Sequence, residues 1–95
     1  MSVTVVLPTV GDTPKLRSSV ENMLRTTARA GPDSEVLVVV NGRSSVPALD
    51  HIGSTRLRVL HLDQRNGSKA RNVGIEAARH DTVLFGDDGA AVVTD

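Results

Sequence analysis

A chain of 95 residues with eleven Lys and Arg against eleven Asp and Glu carries no formal net charge, so no global field draws it to nucleic acid or an anionic membrane. Cysteine is absent, and a single Phe is the only aromatic residue; disulfides, thiol nucleophiles, thiolate metal sites and stacking platforms for single-stranded nucleic acid are thereby excluded. One small domain is expected, burying somewhat over ~60% of its unfolded-chain surface.

The opening residues lack a basic n-region, and their apolar run is too short for a signal peptide or a membrane span, which makes a cytoplasmic location the default. Residues 3–7 are β-branched and apolar without alternation, predicting a strand covered on both faces, with Pro8 ending it. Asp12 or Thr13 can cap a following helix that has Pro14 at its first position, and Leu16, Val20, Met23 and Leu24 then recur at helical spacing. Arg25 and Arg29 fall near its negative end, and Gly31-Pro32 closes it.

Residues 35–40 (Glu-Val-Leu-Val-Val-Val) predict a second continuous strand, with Asn41-Gly42-Arg43-Ser44-Ser45 as the loop at its carboxyl end and a weak helix over 46–52. Residues 57–62 form a third strand, where Arg58 and His61 among apolar neighbours point to a sheet edge. A polar loop over 63–68 leads into a helix from about 69 to 80. Ala70, Gly74, Ala77 and Ala78 give that helix a small-residue face. A helix-interior Gly costs about 1 kcal/mol relative to Ala, so Gly74 signals a packing constraint. Residues 82–85 are the last strand.

Strands alternating with helices imply parallel pairing and right-handed crossovers. The expected fold is a three-layer α/β domain over residues 1–95, with a mainly parallel four-stranded sheet of order 3-2-1-4. Its crevice lies between the ends of strands one and four, where Pro8-Thr9 faces Asp87-Asp88.

The chemistry gathers at that end. Two adjacent carboxylates in the Gly-bordered turn Gly86-Asp87-Asp88-Gly89 can accept hydrogen bonds from a ribose or offer oxygen ligands to Mg²⁺ or Mn²⁺; the alternative is an ordinary solvated turn. Lys69 and Arg71 stand in the first turn of the helix, with Arg65 just before, although cations there oppose the macrodipole by about 0.3–1 kcal/mol each. A bound anion resolves that conflict; basic side chains reaching into solvent explain it equally well. After the first strand, Leu7-Pro8-Thr9-Val10-Gly11-Asp12 has one glycine where a dinucleotide fingerprint needs three, and no Walker A loop occurs.

Pro8-Thr9, Val38-Val39-Val40-Asn41-Gly42-Arg43-Ser44, Asn66-Gly67-Ser68-Lys69-Ala70-Arg71-Asn72-Val73-Gly74-Ile75-Glu76-Ala77-Ala78 and Val83-Leu84-Phe85-Gly86-Asp87-Asp88 occur in this order over nearly the whole chain. Together they resemble the family 2 glycosyltransferases of GT-A fold, which makes the chain similar to the Rossmann-like, nucleotide-sugar-binding half of such a domain. The resemblance implies that Pro8, Thr9 and Asn41 hold the base and ribose of a nucleoside diphosphate sugar, and that Arg71 and Asn72 line its pocket. It further implies that Asp87 contacts ribose and, with Asp88, a divalent metal bridging the diphosphate, where charge develops as the glycosidic bond breaks.

Three departures from the family pattern bear on activity. Gly89 stands where the second Asp of the Asp-x-Asp motif belongs, which weakens the case for Mg²⁺ or Mn²⁺. Asn41-Gly42 replaces the commoner Asp-Asp, although an amide still offers a pyrimidine edge both a donor and an acceptor. The family's acceptor site and catalytic base lie downstream of Asp95, and His51, His61 and His80 do not match that base, so no catalytic residue is assigned. The resemblance therefore implies a donor-binding domain that does not complete transfer alone. The competing expectation is a non-catalytic module that forms homo-oligomers or complexes through the exposed fourth strand.

Overall fold

The computed structural model describes residues 2–9, 15–42, 46–50, 52–62 and 67–86. Strand β1 (Thr4–Thr9) lies between β2 (Glu35–Val40) and β4 (Val83–Phe85), and β3 (Leu57–His61) flanks β2. Every pairing is parallel, and the order is β3-β2-β1-β4, as predicted. Both central strands are buried almost throughout because both faces are covered, by helix α1 (Leu16–Ala30) on one side and helix α2 (Gly67–Ala77) on the other.

Strand periodicity divides the core in two. Val5, Leu7, Val36, Val38 and Val40 pack with Leu16, Val20, Met23 and Leu24 of α1, and Val46 and Leu49 extend this layer around a 3-10 turn, Pro47–Leu49. That single turn is all that forms of the helix expected over 46–52; His51 lies outside the described residues. On the opposite face, Val6, Leu37, Val39 and Leu62 pack with Ala70. The small-residue face of α2 has the purpose its composition suggested: a Cβ added at Gly74 would run into Cγ1 of Val6 and stand 3.1 Å from its Cγ2.

Pro8 does not end β1 as expected; it is the fifth residue of the strand, paired with Val39. The reason is directional. The Val3 and Thr9 carbonyls accept from the N–H groups of Glu35 and Asn41, on the β2 side, at 2.9 and 2.6 Å, whereas Thr4 and Val6 bond toward the β4 side. Pro8 shares the parity of Thr4 and Val6, so its missing N–H falls on the side where the ladder has already ended, with Gly86 N–H donating to Val6 O at 3.0 Å.

Helix α1 also departs from expectation at its start. It begins at Leu16, the first residue of its buried face, with Lys15 at the N-cap and no side-chain capping bond; Asp12, Thr13 and Pro14 lie outside the described residues. Its other end closes as expected at Gly31, whose N–H donates to Thr27 O at 3.1 Å. Helix α2 starts two residues earlier than expected and stops three earlier.

Two arginines fasten the helices at the amino end of the sheet. Arg56 donates to the Leu24 carbonyl of α1 at 2.7 Å and to Ser34 O at 3.0 Å. Arg58 donates to the Ala77 carbonyl of α2 at 2.6 Å and to the Glu35 carboxylate at 2.7 Å. Strand β3 is the edge that Arg58 and His61 foretold, but Arg58 turns inward and only His61 is exposed.

Candidate functional site

At the carboxyl end of the sheet the strand ends are tied side by side. The Asn41 N–H donates to the Thr9 carbonyl at 2.6 Å, and the Leu62 N–H donates to the Val40 carbonyl at 2.9 Å. Thr9 is buried and Asn41 half-buried. Gly42 follows with φ of 130°, a conformation that favours glycine, and its N–H folds back to Val40 O at 3.0 Å. The backbone therefore turns sharply just past Asn41.

Between β1 and β4 the pairing ends at Val6 and Phe85, with the Gly86 N–H donating to Val6 O at 3.0 Å. Pro8 has no N–H to give the Gly86 carbonyl, so the ladder gains no further bond there. Gly86 itself is packed from the α1 side, where a Cβ would come 2.5 Å from the Met23 methyl. Asp87 and Asp88 continue directly from Gly86 but lie outside the described residues, as do Arg43, Ser44, Arg65, Asn66 and Gly89.

Helix α2 brings one cation to the end of β4. The Arg71 guanidinium carbon stands over the Phe85 ring, 5.9 Å from its centroid. Phe85 pairs with Val6 of β1 and is the last residue of β4. Pro8, Thr9, Asn41 and Arg71 thus belong to one end of the sheet. Asn72 does not join them: two residues beyond buried Ala70, it is exposed on the outer side of α2. Lys69 is likewise exposed.

Among the described residues, no three His, Asp or Glu side chains converge on a point that could hold a metal ion. Elsewhere, a groove of about 450 Å³ is lined by Val46, Pro47, Leu49, Asp50, Val59 and His61 beside the edge strand. It shares no residue with the strand-end site.

Sequence reasoning missed two residues. Phe85 was legible as the sole aromatic residue, placed just before the acidic turn. Glu35 is 3% exposed, and a carboxylate opening an otherwise apolar central strand was its signal. Its Oε2 accepts from Thr4 Oγ1 and from the Arg79 N–H, both at 2.8 Å, and its Oε1 from Arg58. Burial pushes this carboxyl up, but the Arg58 hydrogen bond, the Arg79 N–H, the Thr4 hydroxyl and the Arg58 charge together outweigh it, and the group titrates below its ordinary 4.5.

An open parallel sheet of this order, covered on both faces and open where the strand order reverses, is a Rossmann-like α/β domain of GT-A type. The sequence profile of glycosyl transferase family 2 matches residues 4–92, and the chain belongs to that family. Among solved structures it is similar to the crystal structure of S. aureus TarS, at 27% identity and a TM-score of 0.72 over 100% of this chain and 18% of that one. It is also similar in fold to S. aureus TarS 1-349, at 24% identity and a TM-score of 0.70 over 98% of this chain and 29% of that one. The chain thus spans less than a third of either. No curated protein matches it significantly in sequence. Among the described residues, no helix is long and apolar enough to cross a membrane.

Proposed function

We propose that this domain binds the nucleoside diphosphate sugar donor of a family 2 glycosyl transfer. The observation that carries the reading is the Arg71 guanidinium over Phe85, at the carboxyl end of β4 and next to β1. A fixed cation at the strand ends suits a diphosphate. Pro8, Thr9 and Asn41 would hold base and ribose from the β1 and β2 ends, and Asp87 the ribose from the β4 side. Bound metal, held by Asp87 and Asp88, would neutralise charge on the diphosphate. These residues bind and orient the donor; the transfer step needs a general base that none of them provides.

The test is titration with UDP, GDP and dTDP sugars by NMR, with and without Mn²⁺. The expected result is shifts at Thr9, Asn41, Arg71 and Asp87 with one of the three. Silence at all four positions with every donor defeats the reading.

One observation favours a second reading, a module that assembles through its sheet edge. Strand β4 is a terminal strand, and Val83, Leu84 and Phe85 are each only half-buried. An apolar edge of this kind invites pairing with a second copy. Light scattering decides it: a monomer at high concentration rules out edge-mediated dimerisation.

A further inference from the structure

We propose that Phe85 is a positioning residue for the donor diphosphate, its ring fixing where the Arg71 guanidinium stands. The inference rests on the donor-binding reading and adds a residue to it. Phe85 packs against the buried cluster of Val6, Leu37, Val39, Leu62 and Ala70, and its backbone is registered to Val6 in the sheet. The ring is therefore a rigid platform, whereas an exposed arginine left to itself samples many rotamers. At 5.9 Å from centroid to guanidinium carbon, the two are within cation–π range.

The choice of holder matters chemically. A carboxylate partner would occupy the N–H fork of Arg71 and cancel its charge, and no described carboxylate pairs with it. An aromatic face attracts the cation through its quadrupole and leaves the in-plane N–H donors to meet an anion in bidentate geometry. Phe85 also stands two residues before Asp87 in the chain. Preordering the side chain before the anion arrives reduces the entropy lost on binding.

The experiment uses the 95-residue chain with inorganic pyrophosphate and UDP as probes, in the wild type and in the variants Phe85→Leu, Phe85→Tyr, Arg71→Ala and Phe85→Leu with Arg71→Ala. In the ligand-free wild type, the Arg71 Nε–Hε resonance is expected to carry a ring-current shift that Phe85→Leu abolishes and Phe85→Tyr keeps. Phe85→Leu should weaken pyrophosphate binding about two- to fivefold, Phe85→Tyr should restore it, and the double variant should bind no more weakly than Arg71→Ala. Absence of the ring-current shift in the wild type overturns the proposal, as does an equal loss from Phe85→Leu with and without Arg71. A wild type that binds neither probe overturns the donor reading itself, and that outcome is distinct because the ring-current shift is measured without ligand.

Discussion

The Nε of Arg58 donates to Oε1 of Glu35 at 2.7 Å, across the face of the sheet that α2 covers, and the carboxylate side chain is only 4% exposed against 26% for its partner. Sharing Oε2 between Thr4 and the Arg79 N–H completes the carboxylate's shell, so the pair is buried without an orphaned acceptor. Desolvation of two charges offsets much of their attraction, and the larger effect appears when one partner is removed: Arg58 would then keep the Ala77 carbonyl but lose the anion that balances its charge.

Stability should therefore fall in acid. Glu35 titrates below 4.5 when folded, so the unfolded chain binds its proton first. The contribution is fully present above about pH 4.5 and is lost as the pH drops through the lower, folded value. Glu35→Gln should remove that part of the pH dependence and cost about 3 kcal/mol at neutral pH. Urea denaturation of both proteins from pH 7 down to pH 3 checks this; parallel curves would contradict it.

Replacing Gly74 by Ala should destabilise the domain even though Ala is the better helix former. The gain in propensity is about 1 kcal/mol, whereas forcing a methyl against the stiff β-branched Val6 costs about 1–3 kcal/mol. Removing the obstruction with Val6→Ala in the same chain should make the double variant more stable than the sum of the two single losses predicts. Additive losses in chemical denaturation would show that α2 does not bear on Val6.

The corresponding change at Gly86 should be milder. Its new methyl would meet the Met23 thioether end, at 2.5 Å from Cε and 3.1 Å from Sδ, and an unbranched chain of that kind can swing aside. Gly86→Ala should cost less than Gly74→Ala by thermal melting.

Pro8→Ala restores the N–H that β1 lacks on its β4 side. A new ladder bond to Gly86 O is worth about 0.5–1.5 kcal/mol, against about 0.4–1 kcal/mol lost by freeing the unfolded chain. Stability should hardly move, while the amide at position 8 becomes protected from hydrogen exchange. An unprotected amide at position 8 would show that proline is not what ends the ladder.

The sheet order was open to inspection in the sequence because unbroken Val and Leu runs mark strands buried on both faces, and Arg58 and His61 mark the third strand as an edge. Gly74 was informative for a similar reason, since a costly residue inside a helix needs a neighbour to justify it. Pro8 misled because its effect depends on which side of the strand its missing N–H faces, and that follows from pairing partners that one-dimensional pattern does not contain. Arg71, Thr9 and Asn41 were reached through motifs, yet the hold of Phe85 on Arg71 and the Glu35 shell are contacts between residues far apart in the chain. Asn72 shared the motif but turns to the outside of the helix, as its distance of two residues from buried Ala70 requires.

Helix α2 is thus a lever pinned at its tail. Ala77 is gripped by Arg58, Gly74 rests on Val6 as on a fulcrum, and Arg71 rides on the other arm some 9 Å along the axis from the pin, at about 1.5 Å per residue. A tilt of roughly 5° at the pin carries that arm by under about 1 Å, which is enough to spoil the bidentate grip proposed for Arg71. Slackening the pin would then be felt by the hand at the other end.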